Sequence, residues 1–474
     1  MFFKELNTMK KFIGVIIALI CFQISAQENL VIYEVPGGYK YSAHNDDFTV
    51  LVREPKGTWK DLFEYNVEVD LDTKSKASMV HFDFDKKVEV KVRKNNGNIN
   101  NVEIRPKSSG VKSNVNGNEI TFVLDKPMNL SVEINGDKLH NLHVFANPME
   151  KHRPDPEDPN VIYFGPGVHQ PKDQPGDVYH IPSGKTVYVH GGAIIKAKFL
   201  VDKAKDVKII GRGIVMQPER GVEVRYSKNL TIDGLIFINP KHYTIYGGET
   251  KGLTIKNIKS FSSNGWSDGI DLMSCSDVEI NNVFMRNSDD CIAIYAHRWN
   301  FYGNAENYNI KNSILWADIA HPTNIGLHGN AEHVGDTIQN ITFSNIDILE
   351  HDEDDRNYQG CLAISGSDKN LIKNIRYEDI RIDNIQEGQL FNFRVFFNEK
   401  YSAAPGRGIE GLVLKNISYT GALPNPSLIQ GYSADKQIKD VTIQNLKING
   451  QVISAQDPTF FTIGKFTNDI NIKK

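Results

Sequence analysis

Two hydrophobic rhythms divide this chain. From residue 28 to about 148, short runs alternate apolar and polar residues, as in "YNVEVDL", "SMVHFDF", "KVEVKV", "EITFVL" and "LSVEIN". Period-two alternation predicts strands with one buried face each. Turn signals such as "NNGN" and "VNGNE" separate them, so this segment predicts a β-sandwich. The stretch "NPMEKHRPDPEDPN", with four prolines, then reads as a boundary.

Beyond Val161 the rhythm becomes a repeat. The phrases "NLTIDGLIF", "GLTIKNIKS", "DVEINNVFM", "NYNIKNSIL", "NITFSNIDI", "NIRYEDIRI", "GLVLKNISY" and "DVTIQNLKI" share one pattern, and their first apolar positions lie 23 to 37 residues apart. Asn257, Asn282, Asn312, Asn345, Asn416 and Asn445 fall two residues after that position, with Asp379 once in their place. One strand phrase per unit is the mark of a solenoid. A recurrent Asn suits a tight corner, because Asn tolerates the left-handed region and can bond the backbone there. The predicted fold is all-β: an N-terminal β-sandwich over 27–148, then a right-handed parallel β-helix over 149–474. Unequal periods predict loops of unequal length that line a groove.

The remaining features narrow the class. The N-terminus carries Lys10 and Lys11, an apolar run from Phe12 to Phe22, and small residues at Ser25 and Ala26. This is the layout of a signal peptide over residues 1–26, with Met9 an alternative start, and it predicts export to the periplasm or medium. Ile20 before Cys21 is too bulky for a lipoprotein signal, and no later segment reads as a membrane span. A net charge of -4 with interspersed signs gives no footprint for nucleic acid. Cys275, Cys291 and Cys361 show no zinc spacing and read as buried thiols; no metal or cofactor is expected.

Candidate chemistry gathers in "SNGWSDGIDLMSCSDVEINNVFMRNSDDCIAIY". Asp268 lies between the phrases that begin at Ile255 and Ile280, and Asp289 and Asp290 between those at Ile280 and Ile310. Neighbouring coils stack at about 4.8 Å, so the three carboxyls should converge on one face. Asp271 and Asp277 read as turn residues. Trp266, Tyr295, Arg298 and Trp299 flank the acids and are the candidate substrate contacts. Arg394, in an apolar run, needs a partner if buried, and "HDEDDRN" reads as a solvated loop rimming the groove.

The segments "WSDGID", "NSDDCI" and "LHG" resemble the N-T-D, D-D and G-H-G motifs of the polygalacturonase family, glycoside hydrolase family 28. The added sandwich resembles glycoside hydrolase family 49, the dextranases and isopullulanases. The resemblance implies Asp289 as proton donor, Asp268 and Asp290 as the pair activating water, His328 as the supporting histidine, and an inverting mechanism on a polysaccharide. An R-I-K motif, which holds the uronate in polygalacturonases, is missing; "RID" at 381–383 is a poor substitute. The expectation is therefore dextranase-like, with a polygalacturonase or algal-polysaccharide hydrolase as alternatives. A polysaccharide lyase and a non-catalytic glycan-binding solenoid are the rival classes.

Overall fold

The computed structural model describes residues 29–171 and 176–474; the signal peptide expected over residues 1–26 lies outside them. Strands between Leu30 and Pro148 form a six-stranded and a five-stranded sheet. Val50, Val90, Ile120, Phe82, Val132 and Val144 pack between the two. The pairing is not wholly antiparallel, because Ser75–Phe84 and Asp137–Pro148 run parallel.

Those two strands depart from the alternation expected of them. Ser75–Phe84 is buried without a break from Ala77 onward. The cause is a second partner for the six-stranded sheet. Its outer face, with Val67, Val69, Met79 and Phe145, packs on Ile236, Phe261, Phe284 and Trp316 of the coils. Polar groups are sealed into this seam. Arg286, fully buried, donates to Asp318, to Asn141 Oδ1 and to the Lys138 carbonyl. Arg105 meets Glu133 and Glu350 at 2.8 Å each, and Arg212 meets Asp83 at 3.0 Å.

From Val161 the chain winds a right-handed parallel β-helix with an apolar core. One turn runs through Ser276–Asn281, Phe284–Ser288 and Ile292–Tyr295. Asn257, Asn282, Asn312, Asn345, Asp379, Asn416 and Asn445 all take φ between 53° and 58° at one corner. Their amides also bond along the helix: Asn282 donates to Asn257, Asn345 to Asn312 and Asn416 to Asp379, each at 2.8 Å. A second left-handed column holds Asp277, Asn307, Asn340 and Asn374, with Asn307 donating to Asp277 at 2.9 Å. Cys275, Cys291 and Cys361 are free and buried in the coils.

The third side of the helix is an eleven-stranded sheet that includes Val222–Arg225, Ile245–Gly248, Ile270–Met273, Ile292–Tyr295 and Thr323–Gly326. Val222, Ile245, Ile270, Ile292 and Thr323 stand in register. Among the described residues, no helix is long and apolar enough to cross a membrane.

Candidate active site

That register builds the site. The residues two places before each registered position are Arg220, Tyr243, Asp268, Asp290 and His321. Each sits on the turn leading into its strand, so the five line up along the helix axis. Asp289, one place earlier still, leans over the row. One carboxylate oxygen from each of Asp268, Asp289 and Asp290 lies within 4.8 Å of the others. They sit in a groove of about 360 Å³.

The three acids have different surroundings. Asp290 is buried, which works to raise its pKa, but its neighbours overcome this and hold it below the usual carboxylate range. His321 Nδ1 lies 2.6 Å from Oδ1, and the His321 backbone N–H donates to the same oxygen. Asn324 Nδ2 donates to Oδ2 at 2.7 Å, and the Tyr295 hydroxyl reaches it at 3.4 Å. The other ring nitrogen of His321 faces the Tyr358 carbonyl. Two acceptors, one on each nitrogen, require two N–H groups, so the ring is an imidazolium. Burial opposes that charge, but the Asp290 carboxylate raises the His321 pKa to about 9.

Asp289 is only half-buried. Burial first, then the charge of Asp290, raises it to about 6, against the pull of backbone N–H groups from Asp290 and Trp266. Asp268 is raised well above its ordinary value by burial and then by Asp271. Asp271 belongs to this network and not to a turn. It is fully buried on Ile270–Met273, beside the Arg298 guanidinium at 3.6 Å. Neither of its oxygens has an ordinary donor. Asp271 is likewise raised well above its ordinary value by burial, with the Arg298 guanidinium pulling the other way.

His328 follows the strand Thr323–Gly326, whereas the acids precede theirs. It lies in the groove wall with its ring 5.1 Å from that of Tyr295, and burial and then Arg298 push its pKa down to about 3. The imidazole in contact with Asp290 is that of His321. Tyr295 also lines the groove; it is 3% exposed and its hydroxyl lies 3.4 Å from Asp290 Oδ2. Arg298 is likewise engaged with Asp271, its guanidinium lying over the Trp299 ring at 4.5 Å. Trp266 and Trp299 are 70% and 46% exposed, each with φ near 55°. Asp277 stays at the surface in its left-handed corner.

Glu353, Asp354 and Asp355, from "HDEDDRN", line the same groove. Lys400 pairs with Asp355 at 3.1 Å. Arg394 donates to the Asn357 carbonyl at 3.1 Å. Arg381 of the "RID" segment lies on Leu371–Ile382, in the larger sheet, and pairs with Asp347 at 2.6 Å.

A parallel β-helix with three converging carboxyls, one paired with an imidazolium, is the architecture of the β-helical glycoside hydrolases, which cleave O-glycosidic bonds. The family model described as glycosyl hydrolases family 28 matches residues 202–464, and the chain belongs to that family. A probable endopolygalacturonase D of Neosartorya fischeri is 21% identical over 234 residues, 49% of this chain and 44% of that protein. An endo-polygalacturonase of Pectobacterium carotovorum subsp. carotovorum is 24% identical over 249 residues, 52% of this chain and 56% of that one. The chain thus spans about half the length of the curated relatives it matches. Among solved structures, Dex49A from Penicillium minioluteum superposes with a TM-score of 0.62 at 14% identity, covering 88% of this chain and 91% of that one. The family 28 exopolygalacturonase of Yersinia enterocolitica gives 0.51 at 12%, covering 81% and 96%. Both likenesses concern the fold.

Proposed function

We propose that this protein is an exported polysaccharide hydrolase acting by inversion on a neutral, dextran-like glycan, with the sandwich ending near residue 148 and the catalytic β-helix following. The observation that carries the reading is the unlike state of two adjacent acids: Asp289 holds its proton to about pH 6, while Asp290 is kept ionised by His321. Glycoside hydrolysis needs that pair of states. Asp289, half-exposed, donates its proton to the leaving glycosidic oxygen. Asp290 takes a proton from the attacking water, and Asp268 holds that water. Inversion is the outcome that the resemblance to family 28 implies. Trp266 and Trp299 offer ring faces for sugar C–H surfaces.

The charge of the groove supports a neutral substrate. Asp268, Asp289, Asp290, Glu353, Asp354 and Asp355 line it, while Arg298, His321 and Lys400 each have a carboxylate partner. A polyuronate would bring more negative charge to this wall, where the described residues lining the groove offer no unpaired cation to meet it. The names of the family 28 relatives favour the alternative, polygalacturonan. A lyase needs a base beside the acids, and Arg298 is held protonated, its pKa raised by Tyr295, Tyr243 and Asp271 despite burial.

The test compares purified protein with its Asp289→Asn variant on dextran, pullulan, polygalacturonate and methyl-esterified polygalacturonate. Reducing ends from a neutral polymer, lost in the variant, are expected. Turnover that survives the substitution overturns the role of Asp289. Preference for polygalacturonate over its ester overturns the neutral substrate. Products absorbing in the ultraviolet would identify a lyase, and the anomer released first, read by NMR, decides inversion.

A further inference from the structure

We infer that the sandwich supplies a wall of the active-site groove through Leu71, a specificity-determining residue at the tip of one hairpin. The inference rests on the glycoside hydrolase reading of the groove. The hairpin joins Tyr65–Val69 to Ser75–Phe84, and its tip reads "DLDTK". An apolar side chain among charged residues at an outer turn has no place in the sandwich core. Leu71 is half-buried instead and lines the groove, as Trp266, Ile319, Ala320 and Glu353 do. Among the described residues that line the groove, the others all come from the coils, from Tyr243 onward.

The tip is fixed on both sides of the acids. Asp70 takes φ of 62°, and its carboxylate accepts the Thr73 N–H at 2.8 Å, which closes the turn. The Asp70 N–H donates to Asp318 Oδ2 at 3.1 Å, three residues before His321. Lys74 Nζ donates to Asn264 Oδ1 at 3.2 Å, four residues before Asp268. The Glu68 N–H donates to Asn239 at 3.0 Å. Asp318 is itself gripped by buried Arg286. A side chain held this way presents a fixed apolar surface, suited to the C–H face of a pyranose ring beside the acids.

The test uses full-length protein carrying Leu71→Ala or Leu71→Trp, with Val115→Ala, at an exposed site in the sandwich, as control. Melting temperatures establish that each variant folds. Rates on dextran, pullulan and polygalacturonate are paired with retardation in gels containing each polymer, measured on an Asp289→Asn background. Leu71→Trp should raise KM about tenfold with kcat within about threefold, and weaken retardation in step. Leu71→Ala should alter the product-length distribution. Parent-like KM, products and retardation in both variants overturn the inference. Retardation that responds to Leu71 in a protein that cuts none of the polymers sustains the wall and sinks the hydrolase reading. A parent that no polymer retards counts against both.

Discussion

His321 Nδ1 lies 2.6 Å from Asp290 Oδ1, and each residue stands two places before a strand of the same sheet. The contact is therefore written into the register of neighbouring coils. Replacing His321 with Gln keeps a donor but removes the positive charge. Asp290 should then return toward its ordinary pKa, and kcat should fall about a hundredfold. The acid limb of the rate profile should move to higher pH in the variant. An acid limb that stays in place would show that His321 does not set the charge of Asp290.

The same pair makes a signed statement about stability. The folded pKa of His321 is raised, so its contribution is complete below the unfolded value near 6.5 and is lost as pH rises through about 9. Asp290 is depressed, so its contribution is present above about 3.8 and is lost as pH falls through its lower folded value. Urea unfolding of wild type and His321→Gln should differ most between those limits. The two should converge above pH 9.

Activity should have its own alkaline limit. The proposed donor, Asp289, must be protonated to act, and its pKa is about 6, so kcat/KM should decline as pH rises through that value. Asp290 acts ionised, so the acid limb should lie below the ordinary carboxylate range. A plateau reaching pH 8 would exclude Asp289 as the proton donor.

The exposed face of Trp299 makes a simpler case. Trp299→Ala should raise KM roughly fivefold, about 1 kcal/mol of lost stacking, with kcat little changed. Initial-rate kinetics on the polymer found to be cut decide this. An unchanged KM would leave Trp299 as packing for Tyr243 and Tyr246, whose rings lie 6.1 and 5.6 Å away.

The seam between sandwich and coils should govern unfolding. Asp318→Ala strands the buried Arg286 charge, which costs about 3–5 kcal/mol. Denaturant titration should show that loss in one transition shared by both parts of the chain. Separate transitions in wild type would show that the seam does not couple them.

Much of this was legible in the sequence, for identifiable reasons. The Asn at each corner announces itself, because few residues accept the left-handed region and this one recurs two places after a strong apolar position. The 21-residue step from Asp268 to Asp289 follows from coil length. Matching "LHG" on residue type alone points to His328. Counting two places back from "TNIG", as Asp290 stands before "IAIY", points to His321. Asp271 was missed because its partner Arg298 arrives from the next coil. The continuous burial of Ser75–Phe84 is hidden in the sequence because its second partner lies more than 100 residues away.

The Asn corners have a consequence for change over time. Each coil is pinned by its own stacked amides, so the segments between strands can lengthen or shorten without disturbing the rungs on either side. The acids sit on short turns tied to the rungs, whereas Leu71 and the 353–355 wall are carried on a hairpin tip and a long excursion. On the proposed reading, chemistry and selectivity are thereby mounted on separate parts. A lineage could exchange the rim and meet a new polymer while the proton-transfer machinery stays untouched.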